Sequence, residues 1–224
     1  MFRTGIIVFP GSNCDRDIAY VLETYYNHKT DYIWHKDSIQ GKYDLIVLPG
    51  GFSYGDYLRS GAIARFSNAM KSLKEHIDGG GKVLGICNGF QILTEAKLLP
   101  GTLMRNANLQ HICKDVRLKI GSGSNPLTRG IPEERELTIP ISHGDGCFFA
   151  DADTLKEIED KRQVFYRYSG ENPNGSLNGI AGVCSDNFQI AGLMPHPERA
   201  IDPWAESLDG KIFFDSLFNF FNCL

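Results

Sequence analysis

A cysteine placed between two glycines is the feature of this sequence that most directly suggests chemistry. The segment Gly85-Ile86-Cys87-Asn88-Gly89-Phe90-Gln91 follows the apolar residues Val83 and Leu84. A short buried strand that ends here and leads at once into a helix would lift the thiol out of the sheet edge, and the glycines relieve crowding at so sharp a bend. The free N–H groups of a helix start favour a thiolate. The pattern therefore predicts a nucleophile, the alternative being a buried structural cysteine at a strand end.

A histidine and a glutamate near the C-terminus could complete this chemistry. His196 lies between Pro195 and Pro197, and the following proline favours an extended backbone at the histidine. Residues two apart in an extended chain project to the same side, so Glu198 can hold one imidazole nitrogen while the other faces the thiol. A cysteine nucleophile works best with such a base and orienting group. We therefore expect a triad with Cys87, the alternative being a proline-stiffened surface turn.

The remaining histidines fit a catalytic role less well. His28, His35 and His76 lie among polar residues and are predicted to be solvated surface side chains. His111 and His143 lie in turns or at strand ends, where His143 could line a pocket. The C-terminal histidine is therefore the best candidate for the base.

Acyl transfer also needs N–H donors for the negative charge that develops on the carbonyl oxygen. The N–H of Asn88, directly after the cysteine, is one candidate. A second is a backbone N–H in the loop that begins with Gly50-Gly51, where the glycines permit a close approach. Loops of this kind gather at the carboxyl ends of the strands in an open α/β sheet, where ligands usually bind. An ordinary turn is the alternative interpretation of the two glycines.

Apolar runs and helical periodicity predict the elements that position these residues. Strands are predicted at 6–9, 31–35, 45–48, 83–86, 116–120, 137–141, 164–168, 180–184 and 190–194, and helices at 15–26, 61–77 and 206–221. The early alternation of strands and helices predicts an α/β fold, an open mostly parallel sheet with helices on both faces. The later strands, joined by polar turns, predict an added antiparallel region. We expect residues 1–224 to form one domain, with the aromatic face of the last helix in the core.

Composition excludes several classes of protein. A net charge of −4 gives no reason to expect nucleic acid or an anionic membrane as a partner. The sequence has no bilayer-length apolar run and no signal-peptide layout, so a cytoplasmic location is expected. The six cysteines are scattered without a C-x-x-C pair, which favours a reduced chain. His111-x-Cys113 lacks further ligands at suitable spacing, so no metal site is expected.

Taken together, these residues resemble the triad glutamine amidotransferases, and within them the small glutaminase subunits of phosphoribosylformylglycinamidine synthase, an enzyme of de novo purine biosynthesis. The resemblance spans almost the whole chain. The cysteine turn by itself indicates only the wider superfamily, whereas the long loop after the third strand and the asparagine after the cysteine are more specific. The motifs that carry it are 9–15 (FPGSNCD), 49–56 (PGGFSYGD), 86–91 (ICNGFQ), 142–144 (SHG) and 194–199 (MPHPER).

The resemblance implies a two-step hydrolysis of glutamine. Cys87 would attack the side-chain amide, and His196 would protonate the departing ammonia. Gly51 and Asn88 would stabilise the oxyanion while the γ-glutamyl thioester forms, and water activated by the histidine would then release glutamate.

The resemblance also implies contacts to the substrate. Gln91, one helical turn after the nucleophile, would contact the glutamine. Ser142 and His143 would hold its amino-acid end. Cys14 would be structural or pocket-lining rather than nucleophilic, because no pair of glycines surrounds it.

A partner is expected because the synthase reaction consumes ATP and the sequence has no G-x-x-x-x-G-K-[ST] phosphate loop. Its three Gly-Lys pairs are followed by Tyr43, Val83 and Ile212. We therefore expect ATP, Mg²⁺ and formylglycinamide ribonucleotide to bind to a separate synthetase subunit, and no cofactor in this chain. The resemblance implies that ammonia passes to that subunit, often with a small third subunit in the complex.

Three alternatives stay open. The first is another enzyme with the same cysteine turn, such as a γ-glutamyl hydrolase or a glutaminase of another pathway, which should lack the loop 50–56 as written. The second is a noncatalytic regulatory subunit, which would be marked by loss of triad residues that are all present here. The third is a cysteine-turn stress protein, in which a histidine commonly occupies the position of Asn88.

Overall fold

The computed structural model describes residues 2–121 and 125–222, which form strands and helices in alternation. The strands are β1 (Arg3–Val8), β2 (Lys29–Trp34), β3 (Leu45–Leu48), β4 (Lys82–Ile86), β5 (Thr102–Met104), β6 (Ile112–Ile120), β7 (Leu137–His143), β8 (Cys147–Phe149), β9 (Val164–Tyr168), β10 (Ile180–Cys184) and β11 (Ile190–Leu193). The helices are α1 (Asp15–Tyr26), α2 (Asn68–Asp78), α3 (Asn88–Glu95), α4 (Ala152–Asp160) and α5 (Asp209–Phe221). In the described residues, no helix has the length and apolar character needed to cross a membrane.

The main sheet has nine strands in the order β2-β1-β3-β4-β11-β10-β9-β6-β7. The pairs from β2 to β11 are parallel, and those from β11 to β7 are antiparallel. A separate antiparallel pair joins β5 to β8. The predicted fold class is thus confirmed, with the parallel and antiparallel regions meeting at β11.

The order of the strands explains why helices cover both faces of the sheet. The chain steps from β1 to β2 in one direction and from β3 to β4 in the other. Right-handed crossovers then place α1 and α2 on opposite faces. The same reversal makes the carboxyl ends of β1 and β3 a topological switch point, the usual place for a ligand in such a sheet. The loops that follow β1, β3, β4 and β11 all emerge at this edge.

Two of these loops are joined to each other by main-chain contacts. An antiparallel bridge pairs Ser12 with Gly51. It is flanked by hydrogen bonds from Phe52 N to Gly11 O, 2.9 Å, and from Asn13 N to Gly50 O, 3.3 Å. The loops after β1 and β3 therefore form one connected wall at the switch point.

Buried aromatic side chains of α5 form one part of the core, as its apolar pattern predicts. Phe213, Leu217 and Phe221 are buried, and so are Phe214 and Phe218 on the adjoining part of the helix. The strands of the parallel region are equally shielded, and all four residues of β3 have no exposed surface. This is typical of strands covered on both faces.

The predicted helix 61–77 is wrong at its start, because α2 begins at Asn68. Ser67 has an extended backbone, with φ −64° and ψ 158°, and its side chain accepts a hydrogen bond from Met70 N. Ser67 therefore caps the helix, whereas Gly61, with φ +79°, lies in a separate turn. The helix ends at Asp78 and Gly79 is its C-cap, in agreement with the stop predicted at the glycine run.

The prediction of exposed surfaces for His28 and His35 is also wrong. His28 is 4% exposed and its Nδ1 lies 3.0 Å from Thr4 Oγ1. His35 is 6% exposed, and its Nδ1 lies 2.5 Å from the hydroxyl oxygen of Tyr54. The two histidines lie at either end of the edge strand β2. Phe218 of α5 packs against His28, and Tyr54 in the loop after β3 packs against His35. Their burial therefore depends on contacts with distant parts of the chain, which the polar neighbours in the sequence do not reveal.

Candidate active site

The turn at Cys87 has the backbone of a nucleophile elbow. Cys87 lies between the last residue of β4 and the first residue of α3, with φ 50° and ψ −105°. Positive φ is costly for a residue with a side chain. The conformation is fixed by hydrogen bonds on either side of the turn, from Cys87 N to Leu193 O, 2.8 Å, and from Gln91 N to Cys87 O, 3.1 Å. The strained residue is therefore the cysteine itself.

The flanking glycines permit close packing rather than unusual dihedral angles. A Cβ on Gly85 would lie 2.8 Å from the carbonyl carbon of Gly89, and a Cβ on Gly89 would overlap the carbonyl oxygen of Leu48. The start of α3 is thus pressed directly against β3 and β4. Any side chain at either position would push the helix, and the cysteine with it, away from the sheet.

His196 and Glu198 form a buried pair at the end of β11. Their side chains are 3% and 0% exposed, and Nδ1 of His196 lies 2.7 Å from Oε1 of Glu198. Burial opposes a charge on the imidazole, but Glu198 and the thiols of Cys87 and Cys14 outweigh it and raise the pKa of His196 well above 6.5. Nε2 of His196 is buried and has no hydrogen-bond partner among the described residues. The nitrogen opposite the carboxylate is therefore available for a proton transfer.

Gly50 provides the space in which the imidazole ring lies. A Cβ at this position would lie 2.7 Å from Cε1 of His196 and 3.0 Å from Sγ of Cys14. The first glycine of the pair at 50–51 therefore lies directly against the ring of His196, a role that its sequence context does not indicate.

Cys14, at the start of α1, also lies next to Gly50. Its Sγ accepts a hydrogen bond from Nη2 of Arg199, 3.1 Å, and Nε of Arg199 donates to Oδ2 of Asp17, 3.0 Å. Burial raises the pKa of the Cys14 thiol. Cys14 thus connects α1 to the turn that carries His196.

The two predicted oxyanion donors lie on neighbouring loops. In the bridge with Ser12, the hydrogen bonds on either side use the N–H groups of Phe52 and Asn13, so the N–H of Gly51 points away from the bridge. The N–H of Asn88 is one of those left free at the start of α3. Gly51 also lines the cavity that contains Cys87. This arrangement is compatible with two donors at the nucleophile, and their role stays a prediction.

A cavity of about 280 Å³ opens over the thiol. Its walls come from the loop 51–60, from Cys87 and Gln91, from Arg105 and His111, and from 142–145. Sγ of Cys87 lies 3.7 Å from the carbonyl oxygen of Ser142. The volume is near the lower end of the range for ligand pockets and suits a small metabolite.

The side-chain amide of Gln91 is held at both ends. Its Nε2 donates to the carbonyl oxygen of Asp145, 2.6 Å, and its Oε1 accepts from Nδ2 of Asn88, 2.8 Å. Asn88 in turn accepts from the backbone N–H of Ser53, 3.1 Å. Gln91 and Asn88 therefore fix three walls of the cavity relative to one another. The predicted contact of Gln91 with glutamine stays a prediction.

Ser142 and His143 project to opposite sides of β7. Ser142 Oγ lies 3.1 Å from Nε2 of His111, at the cavity. Nδ1 of His143 lies 3.1 Å from Oδ1 of Asn106, a fully buried side chain. Burial lowers the pKa of His143 to about 3, so its imidazole is neutral. Their predicted role at the amino-acid end of the substrate stays a prediction.

In the described part of the chain, one group of three side chains has its potential metal-ligating atoms within 4.8 Å of one another, namely Cys14, His196 and Glu198. Each already has a partner, because the imidazole bonds to the carboxylate and Cys14 accepts from Arg199. The described cysteines 14, 87, 113, 147 and 184 are free thiols, and Cys223 lies outside the described residues.

Three charged residues line the cavity, and two of them, Arg105 and Asp145, carry no local signal in the sequence. Arg105, Asp56 and Asp145 lie in three separate loops and meet only in the folded chain. Burial raises the pKa of Asp56 to about 6, and the nearby Asp145 adds to this effect. Only the motif that contains Asp56 could have indicated one of them.

Comparison with known proteins gives the family of the chain. Residues 2–216 match the model of the CobB/CobQ-like glutamine amidotransferase domain. A protein of Leptospira interrogans named phosphoribosylformylglycinamidine synthase subunit PurQ is 59% identical over 213 residues, which cover 95% of this chain and 97% of that protein. A protein of the same name from a Synechococcus species is 53% identical over 219 residues, covering 98% and 97%.

A solved structure, described as that of PurLQS from Thermotoga maritima, extends the match to three dimensions. Its matching chain has a TM-score of 0.87 and 39% identity, and the alignment covers 98% of both chains. The similarity therefore includes the whole fold as well as the sequence. The chain belongs to the CobB/CobQ-like glutamine amidotransferase family and, within it, to the family of phosphoribosylformylglycinamidine synthase subunit PurQ.

Proposed function

We propose that this chain is the glutaminase subunit of phosphoribosylformylglycinamidine synthase and that it hydrolyses glutamine through Cys87, His196 and Glu198. The observation that carries the proposal is the buried contact of 2.7 Å between His196 Nδ1 and Glu198 Oε1, which leaves Nε2 without a partner among the described residues. In this proposal, that nitrogen exchanges a proton with the nucleophile at the elbow. The arrangement is that of an activated thiol with an oriented base.

Acylation uses each of the three side chains. The thiolate of Cys87 attacks the carbonyl carbon of the glutamine side chain, and the N–H groups of Gly51 and Asn88 donate to the oxyanion. His196 gives a proton to the departing nitrogen, so ammonia leaves and a γ-glutamyl thioester remains. Glu198 keeps the imidazole in the orientation for this transfer and stabilises its positive charge.

Deacylation reverses the direction of the proton. The imidazole takes a proton from a water molecule, and the hydroxide attacks the thioester carbonyl while the same oxyanion donors act again. Breakdown of the second tetrahedral intermediate returns the thiolate and releases glutamate. No further group is required from this chain.

The ammonia has a defined recipient in this proposal, a synthetase subunit of the same enzyme. That subunit binds ATP, Mg²⁺ and formylglycinamide ribonucleotide and makes formylglycinamidine ribonucleotide, while a small third subunit completes the complex. The relative described as PurLQS supports an assembly of this kind. We place the reaction in the cytoplasm.

The test is the variant Cys87→Ala in the assembled enzyme. Glutamine-dependent synthesis should fall to background, while synthesis from added ammonium chloride should continue at the wild-type rate. Cys113→Ala, at an exposed thiol, is the matched control and should leave both activities intact. Equal loss of both activities in Cys87→Ala would contradict a role in producing ammonia and would make the cysteine structural.

A further inference from the structure

The cavity above Cys87 contains both signs of charge. The residues that line the cavity include one arginine, Arg105, and two aspartates, Asp56 and Asp145. Nε of Arg105 lies 3.8 Å from Oδ1 of Asp145, and its side chain is 75% exposed. Most other ion pairs in the described residues are closer, such as Arg59 with Glu95 at 2.6 Å. Arg105 is therefore held loosely and can turn toward another anion.

The two carboxylates differ in how far the protein already satisfies them. Oδ2 of Asp145 accepts a hydrogen bond from Ser60 Oγ at 2.8 Å, and its Oδ1 faces Arg105. Asp56 Oδ1 has a longer contact, 3.4 Å, with the amide nitrogen of Asn88. Burial raises the pKa of Asp56 above its ordinary value, and the charge of Asp145 adds to this, although hydrogen bonds from Ser60 and Asn88 oppose it in part. Asp56 is thus the carboxylate whose negative charge lacks a cation.

A free α-amino acid carries the complementary charges at one end, an ammonium and a carboxylate on the same carbon. We infer that Arg105 binds the α-carboxylate and Asp56 the α-ammonium of the substrate, so that the site accepts free glutamine and rejects a glutamine side chain within a peptide. Ser142 and the neutral His143, which are predicted at the same end and line the same cavity, supply no charge to it. The inference rests on the proposed function, since it assigns the other end of the substrate whose amide meets Cys87. Both residues lie in the same cavity as the nucleophile.

This division of roles follows from what each group can donate or accept. An arginine fork matches a carboxylate with two parallel hydrogen bonds. An ammonium next to Asp56 supplies the missing positive charge and removes the repulsion from Asp145. A peptide-bound glutamine has neither charge. It would leave Asp56 half-buried without a cation and would make no ion pair with Arg105, which opposes its binding.

The experiment compares two electrophiles that modify the same thiol. The first, 6-diazo-5-oxo-L-norleucine, carries the ammonium and carboxylate of an amino acid, whereas iodoacetamide carries neither. Rates of Cys87 modification are measured by mass spectrometry in the assembled enzyme for the wild type, Arg105→Met, Arg105→Lys and Asp56→Asn. Arg129→Met, at an exposed arginine outside the cavity, is the control.

We expect the rate with the amino-acid electrophile to fall about 10- to 100-fold in Arg105→Met and Asp56→Asn, because each loses a charge-assisted contact. Rates with iodoacetamide should stay within about 2-fold of wild type, since no binding at the charged end is involved. Arg105→Lys should recover part of the loss, and the control should match wild type with both reagents.

Two results overturn the inference. One is an unchanged rate with the amino-acid electrophile in both cavity variants, and the other is an equal fall with both reagents, which would mean a general disturbance of the thiol. Failure of the proposed function looks different, because wild-type Cys87 would then react no faster with the glutamine-like reagent than Cys113 does. Hydrolysis of N-acetylglutamine at the rate of glutamine would also contradict the inference while leaving glutaminase activity in place.

Discussion

His196 and Glu198 are held 2.7 Å apart, Nδ1 to Oε1, in surroundings that shield both side chains from solvent. Replacing Glu198 by Gln keeps the shape but removes the charge that raises the pKa of the imidazole. An amide can also present its NH₂ group to Nδ1 and so favour the wrong tautomer. We expect kcat for glutamine hydrolysis to fall on the order of 10²- to 10⁴-fold, as for other orienting acids.

The measurement for Glu198→Gln is steady-state glutaminase activity of the assembled enzyme, with ammonia-dependent synthesis as the internal control. The latter should be unchanged because the synthetase reaction does not use this carboxylate. A variant that retains wild-type kcat would show that the carboxylate does not orient the base.

Gly50→Ala should disable the site through the base rather than through the nucleophile. The added Cβ would lie 2.7 Å from Cε1 of His196, too close for a real contact, and would also press on Cys14. The ring must move, so we expect glutaminase activity to fall at least about 10-fold and the free energy of unfolding to fall by about 1–3 kcal/mol, the usual cost of overpacking.

Gly79→Ala provides the matched control for this substitution. A Cβ there would meet only carbonyl oxygens at 3.4 and 3.5 Å, which is ordinary contact. Activity and thermal unfolding should therefore stay near wild type. If Gly50→Ala behaved in the same way as this control, close packing of the His196 ring against Gly50 would not matter for activity, and the prediction would be wrong.

Asp56→Asn should stabilise the chain while impairing its use of glutamine. The folded pKa of about 6 lies above the ordinary 3.8, so the folded state holds its proton more tightly than the unfolded state does. Linkage then makes the native carboxylate destabilising above pH 6, and this penalty disappears as the pH falls from 6 to below 4. Because the side chain is partly exposed, we expect a gain on the order of 1 kcal/mol at pH 7.5.

Thermal unfolding without substrate, at pH 7.5 and at the lowest pH where the chain stays folded, checks this prediction. The variant should melt about 2–4 °C above wild type at pH 7.5 and show a smaller gain in acid. Lower stability of Asp56→Asn at pH 7.5 would mean that the carboxylate is already compensated in the free protein.

Cys14→Ser tests whether the second buried thiol takes part in the chemistry. Cys14 lies close to His196, yet it accepts a hydrogen bond from Arg199 and borders the far side of Gly50. We expect glutaminase activity within about 10-fold of wild type, the loss reflecting poorer positioning of the histidine. A glutamine-like electrophile should label Cys87 in this variant and in wild type, and labelling mainly at Cys14 or Cys184 would contradict the assignment of the nucleophile.

Much of the fold could be predicted because the relevant signals are local. The strands Leu45–Leu48, Val164–Tyr168 and Ile180–Cys184 and the helix Asp15–Tyr26 have the predicted bounds. Continuous apolar runs and a helical period depend only on neighbouring residues. The start of α2 was wrong because the cap at Ser67 determines where a helix begins. The strands β5 and β8 have three residues each, too few for a periodic pattern, whereas α4 was not predicted although Asp151 caps it.

The same distinction between local and tertiary signals applies to the candidate site. The sequence by itself determined the elbow at Cys87 and the spacing of His196 and Glu198, since each depends on residues one or two apart. Tertiary structure alone decided that Gly50 and Cys14 lie against the imidazole and that Arg105, Asp56 and Asp145 line one cavity. It also buried His35, which sequence polarity predicted to be exposed. These contacts join loops after different strands, and strand order and register set them, whereas local sequence patterns do not encode them.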